Sequence, residues 1–151
     1  MALAFVQENE ASRSELRALT ASLTDEDLGR DLGNGWTVST VLCHLAFWDR
    51  VALRRVREWQ RRGFDAVRLA PATADSINEI NEAAREISRG VPGREAARMA
   101  LESAEAIDAE VQRLSGELVD QIAAAGFERV LRRYLHRREH LRRIGEAPGL
   151  A

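Results

Sequence analysis

The 151-residue chain has no lysine, and all 22 of its basic residues are arginine. A lysine nucleophile or Schiff base is therefore excluded, and every cationic side chain keeps its charge in any surroundings. Cysteine occurs once, at Cys43, so no disulfide can form within the chain, and a reducing, cytoplasmic setting is expected. With 3 prolines and 5% aromatic residues, helix breakers and stacking surfaces are both scarce. The balance of 22 basic against 24 acidic residues leaves a net charge of -2, without the positive field of a general nucleic-acid binder. No apolar run approaches the ~20 residues that cross a bilayer, so neither nucleic acid nor membrane is an expected partner. The apolar start, Met1 to Val6, lacks a basic leader and a cleavage site and reads as the beginning of a helix.

Strand-period alternation is also hard to find, while Ala, Leu, Glu and Arg dominate, which predicts an all-α fold. One domain is expected over residues 1–151, since 45% hydrophobic content suffices for a core and no repeat or long linker divides the chain. A first helix is predicted from about Ala2 to Leu23, followed by a short capped turn at Thr24-Asp25-Glu26-Asp27. Gly29 to Gly35 reads as a loop leading to Thr37, a natural N-cap. The second helix should run from Val38 to Arg62 and stop at Gly63, with Val38, Val41, Leu45, Trp48, Ala52, Val56 and Trp59 on one stripe. A looser stretch through Pro71 leads to a helix from Ala74 to Ser88, and another follows Gly93 to about Leu114. Gly116 and Gly126 bracket a short helical piece, and a last helix is predicted from Phe127 to Ile144. Four long helices around one core make a four-helix bundle the expected architecture.

Histidine is as scarce as proline, with His44 at the edge of the stripe and His136 and His140 one helical turn apart. Imidazoles at i and i+4 share a helix face, so this pair can hold a cation with His44 as third ligand, leaving open positions for water or substrate. Singly, each histidine is also explained as a core or surface residue. On a helical wheel, His136 and His140 lie far from Phe127, Leu131, Tyr134, Leu135 and Leu141. Either the last helix is covered on two sides, by the bundle and by a partner chain, or these histidines face solvent; the first alternative predicts a homodimer. His136-Arg137-Arg138-Glu139-His140 also follows the His-x-x-Glu-His order of inverted zinc peptidases, but the further carboxylate ligand those enzymes need has no candidate beyond Glu146, just past the helix end. Trp36, Trp48 and Trp59 read as packing residues, and the arginine-rich runs 54–62 and 129–143 as solvated faces, with Arg133 or Arg137 as a possible clamp for a carboxylate. Cys43 points about 100° away from His44 around the helix, a poor position for a fourth ligand. Asn78 and Asn81 are within reach of the interior.

The segment Trp36-Thr37-Val38-Ser39-Thr40-Val41-Leu42-Cys43-His44-Leu45 resembles the Trp-(Ser/Thr)-Val-x-x-Val-Leu-x-His-Leu motif of the DinB/YfiT-like metalloprotein superfamily. Leu135-His136-x-x-x-His140-x-x-x-Ile144 is similar to the second half of that signature. The resemblance extends over essentially the whole chain and implies a bundle holding one divalent ion, nickel or zinc, on His44, His136 and His140. It further implies a metal-dependent transferase that joins a low-molecular-weight thiol to a small electrophilic substrate. A metal-dependent hydrolase and a non-enzymatic, stress-associated dimeric module are the alternatives. Mycothiol-dependent isomerases of the superfamily often carry Glu where this chain has His136, which argues against that branch.

Overall fold

A computed structural model describes residues 3–69 and 72–150. The expected first-helix start at Ala2 and the loop at Pro71 lie outside the described residues. Helix α1 spans Ala4–Ser22 and α2 spans Asp25–Leu28, the latter closed by a capping box between Thr24 and Asp27. The glycine-rich stretch is more than a loop: β1, Asp31–Gly33, pairs antiparallel with β2, Trp36–Thr37. Gly33, Asn34 and Gly35 all take positive φ at its tip, a conformation that glycine and asparagine adopt at least cost.

Helix α3 then runs Val38–Arg62, with Thr37 and Thr40 forming a second capping box, and Gly63 ends it at φ 84°. Helices α4, Ala74–Ser88, and α5, Gly93–Gln112, follow as expected, and α6, Gly116–Ala124, is the short piece between glycines. The last predicted helix is divided into α7, Glu128–Leu131, and α8, Arg133–Gly145. A break exposes unsatisfied backbone groups, and one side chain on α1 answers two of them. Asn9 Nδ2 donates to the Leu131 carbonyl at 2.8 Å, and its Oδ1 accepts from the Tyr134 amide at 2.9 Å.

The protein is thus all-α, as its composition predicts. Helix α3 packs on α5, α5 on α1, α1 on α8 and α8 on α3, while α4 lies against α3 outside this ring. Two apolar clusters fill the interior. One gathers Leu16, Val38, Val41, Leu42, Leu45, Ala100 and Ile144, and the other Ala52, Val56, Trp59, Ile107, Ile122 and Leu131. Asp49 falls on α3 between the two. Of the stripe predicted on α3, Trp48 alone is not buried with the rest.

Asp49, Asp108, Arg133 and Arg137 are all buried, against the expectation that the arginine run 129–143 is a solvated face. Arg137, fully buried, donates from Nη1 and Nη2 to the two oxygens of Asp108 at 2.9 and 2.8 Å and from Nε to Asp49 Oδ2 at 3.3 Å. Arg133 Nε donates to Asp49 Oδ1 at 2.7 Å, and Arg13 reaches Asp108 from α1 at 3.1 Å. Buried charges persist only when paired and hydrogen-bonded, and this network meets that condition. Burial pushes the Asp108 carboxyl above its ordinary value against the pull of Arg137 and Arg13. Charge from Asp49 and Asp108 holds Arg137 protonated in spite of its burial. Neither Arg133 nor Arg137 is a free clamp for a ligand: Arg137 is held by Asp49 and Asp108, and Arg133 by Asp49, the Arg129 carbonyl and His136.

Candidate metal centre

Wheel positions mislead on α8 because its inward face is built from charged and polar residues. Arg133, Arg137 and Ile144 are its buried positions, whereas Leu135, counted on the apolar stripe, is 40% exposed. With the arginines turned inward, His136 and His140 face α3. They meet His44 within one chain, so a second chain is not needed to cover them.

His44 Nε2 lies 3.0 Å from His136 Nε2, and the ring centroids of the three histidines are 4.7 to 5.0 Å apart. One ring nitrogen from each falls within 4.8 Å of the others, and among the described residues no carboxylate or thiolate joins the group. Trp36, delivered by the hairpin, stands edge-on to His44 at 5.4 Å. Arg85 secures that hairpin to α4 by donating to the Asn34 carbonyl.

This donor set fits a divalent transition ion. Bonds of ~2.0–2.1 Å in tetrahedral array place ligand nitrogens roughly 3.3 Å apart, close to the shortest separation seen here. Imidazole must be neutral to ligate, and all three rings are held neutral. Burial pushes His44 down to about 3, with His140, Arg143 and Arg133 adding to the effect. Burial likewise lowers His136, reinforced by Arg133, and lowers His140 against the opposing charge of Glu139. His44 Nδ1 and His140 Nδ1 are buried without a partner.

Arg133 sets a further constraint. Its Nη2 lies 3.3 Å from His136 Nδ1, and a guanidinium only donates, so Nδ1 carries the lone pair and Nε2 the proton. That proton points at His44 Nε2.

Beside the histidines opens a cavity of about 580 Å³ whose walls include Trp48, Arg55, Asn78, Asn81, Glu139 and Arg143. Trp48 is therefore a wall of the site and donates from Nε1 to Asn81 Oδ1 at 2.8 Å, whereas Trp59 is a core residue as expected. Among the described residues, no carboxylate pairs with Arg55 or Arg143; Arg143 instead reaches the Leu32 carbonyl at 3.5 Å. Glu139 is exposed and lies 3.8 Å from Arg129. Cys43 is buried, and burial pushes its thiol up, which agrees with its poor position as a ligand. Sequence reasoning missed Asp49 and the inward turn of Arg133 and Arg137. An acid four residues after Leu45 in the buried stripe of α3 was the available signal, since it demands a buried cation.

An all-α protein with three converging histidines on two helices is the class that fold and site define. A model of the DinB superfamily matches residues 8–150, and the chain belongs to that superfamily. No curated protein and no solved structure matches the chain.

Proposed function

We propose that the protein holds one divalent transition metal ion, nickel or zinc, on His44, His136 and His140 and is a transferase that joins a low-molecular-weight thiol to a small electrophile. The observation that carries this reading is the convergence of three neutral imidazoles within 4.8 Å at the wall of an open cavity. An ion bound there would favour thiolate over thiol and so supply a nucleophile at neutral pH. The thiol sulfur forms a bond to the electrophilic carbon, its proton goes to solvent, and the leaving group departs with the electron pair of the broken bond. Among the described residues Arg55 and Arg143 have no carboxylate partner, and they would orient an anionic group of either substrate. Trp48, fixed by Asn81, keeps one wall rigid.

Protein purified without an affinity tag should contain nickel or zinc by elemental analysis, and adding either ion to metal-free protein should raise its melting temperature. Absence of both effects sinks the metal site. Loaded protein should then turn over within a panel of low-molecular-weight thiols and electrophiles; no turnover across the panel would favour a metal-binding module instead. Glu139 on the cavity wall supports a second reading, hydrolysis of a small substrate with this carboxylate as general base. Under that reading, activity needs Glu139 and no added thiol.

A further inference from the structure

Behind His44, on the side of α4 and α5, lies a second chamber of about 320 Å³. Its walls include Cys43, Ala46 and Phe47 of α3, Ala84 of α4, Val91 of the turn between α4 and α5, and Met99 of α5. Trp36 and His44 line both this chamber and the cavity described above, so the two spaces adjoin at one tryptophan–histidine pair. The volume is at the lower end of small-ligand sites, far too small for a helix or a second chain.

Several polar groups on its wall are engaged within the protein, while His44 Nδ1 and Arg85 Nε are buried without a partner. Thr40 Oγ1 donates to the Thr37 carbonyl at 3.0 Å and Ser88 Oγ to the Arg85 carbonyl at 2.9 Å. Arg50 donates from Nε to Ser103 Oγ at 3.1 Å, and Arg85 to Asn34 and Glu82. A chamber walled mainly by hydrocarbon side chains holds water poorly and accepts hydrocarbon or an aromatic ring. We propose that this chamber is the apolar half of the reactive site and takes the uncharged hydrocarbon or aromatic portion of the electrophile. The inference rests on the metal-site reading for its link to reaction, but its occupancy can be read without it.

Cys43 is the only cysteine of the chain and lies in the chamber wall, so its labelling by N-ethylmaleimide reports access. The probe is 1-hexanol, with hexylammonium as its charged counterpart. Saturating 1-hexanol should slow labelling of the native protein at least fivefold, and hexylammonium should not. Ala84→Phe, a change at a partly exposed position that fills the chamber, should slow labelling by itself and abolish the effect of 1-hexanol. Equal labelling with and without 1-hexanol in the native protein would overturn the proposal. The link to the histidines is read on cobalt-loaded protein, where 1-hexanol should shift the visible absorption bands in the native chain and leave them unmoved in Ala84→Phe. Protection of Cys43 with cobalt bound and its bands unmoved would also overturn it. Protection of Cys43 in protein that binds no cobalt would instead retire the metal reading and leave an apolar ligand site.

Discussion

His136 stands between two groups with opposite demands. Arg133 donates toward its Nδ1, which puts the ring proton on Nε2, the nitrogen aimed at His44. A ligating histidine normally carries its proton on the other nitrogen and gives it to an acceptor, so coordination through Nε2 requires Arg133 to yield its contact. Replacing the donor by an amide whose oxygen accepts should favour the ligating tautomer and remove a nearby positive charge. Arg133→Gln is expected to raise metal affinity roughly tenfold, the scale of changes next to a ligand; a calorimetric titration showing weaker binding in a folded variant would refute this. Ligand and neighbour are separable in the same measurement. His136→Ala should weaken metal binding far more than Glu139→Ala, because Glu139 is an exposed wall residue paired loosely with Arg129. The reverse order would return attention to the peptidase-like pattern.

At the scale of elements, α3 and α8 differ in how far their sequences announce their positions. Helix α3 carries its own boundaries, with Thr37 capping it and Gly63 ending it, and its apolar spacing places His44 at the buried edge. Helix α8 shows no such agreement, because its buried face contains Arg133 and Arg137, and no wheel drawn by hydrophobicity puts arginine inside. The information that buries them lies elsewhere, in Asp49 of α3 and in Asp108 of α5. Similarly, the break at Arg132 depends on Asn9, more than a hundred residues away in the chain, so local propensity reads a continuous helix there. The histidine set was legible from number, spacing and motif, whereas the network that aims it was not. This network predicts a large and specific cost. Arg137→Met should lower the free energy of unfolding by about 3–5 kcal/mol in urea titrations, since it strips a buried partner from two carboxylates. Adding Asp108→Leu should recover part of that loss, because an uncompensated charge, not a lost attraction, is its main source. Additive losses in the double variant would contradict this account.

For the whole molecule, the same burial that keeps the histidines ready for a cation makes the metal-free fold sensitive to acid. In the unfolded chain a histidine takes up a proton near 6.5, whereas folded His44 resists protonation down to about 3 and His136 and His140 are lowered too. Below about pH 6.5 the unfolded state therefore binds more protons, and stability falls as the pH falls. His44 alone should contribute a loss of about 1.4 kcal/mol per pH unit across this window, and nothing above about pH 7.5, where both states are neutral. A bound metal ion displaces this profile upward by RT ln(1 + [M]/Kd), about 2.7 kcal/mol at a hundredfold excess over Kd. The folded rings resist protonation whether or not an ion is bound, so the loaded and metal-free curves keep their separation at neutral pH and converge only where acid strips the ion. Denaturant titrations of both forms at unit steps from pH 4 to 8 test this. A metal-free protein with flat stability between pH 6.5 and 4 would mean that the three rings are not held neutral. Replacing all three histidines by glutamine should flatten the metal-free curve in that window and erase the gap between the two, since one cluster is the source of both effects.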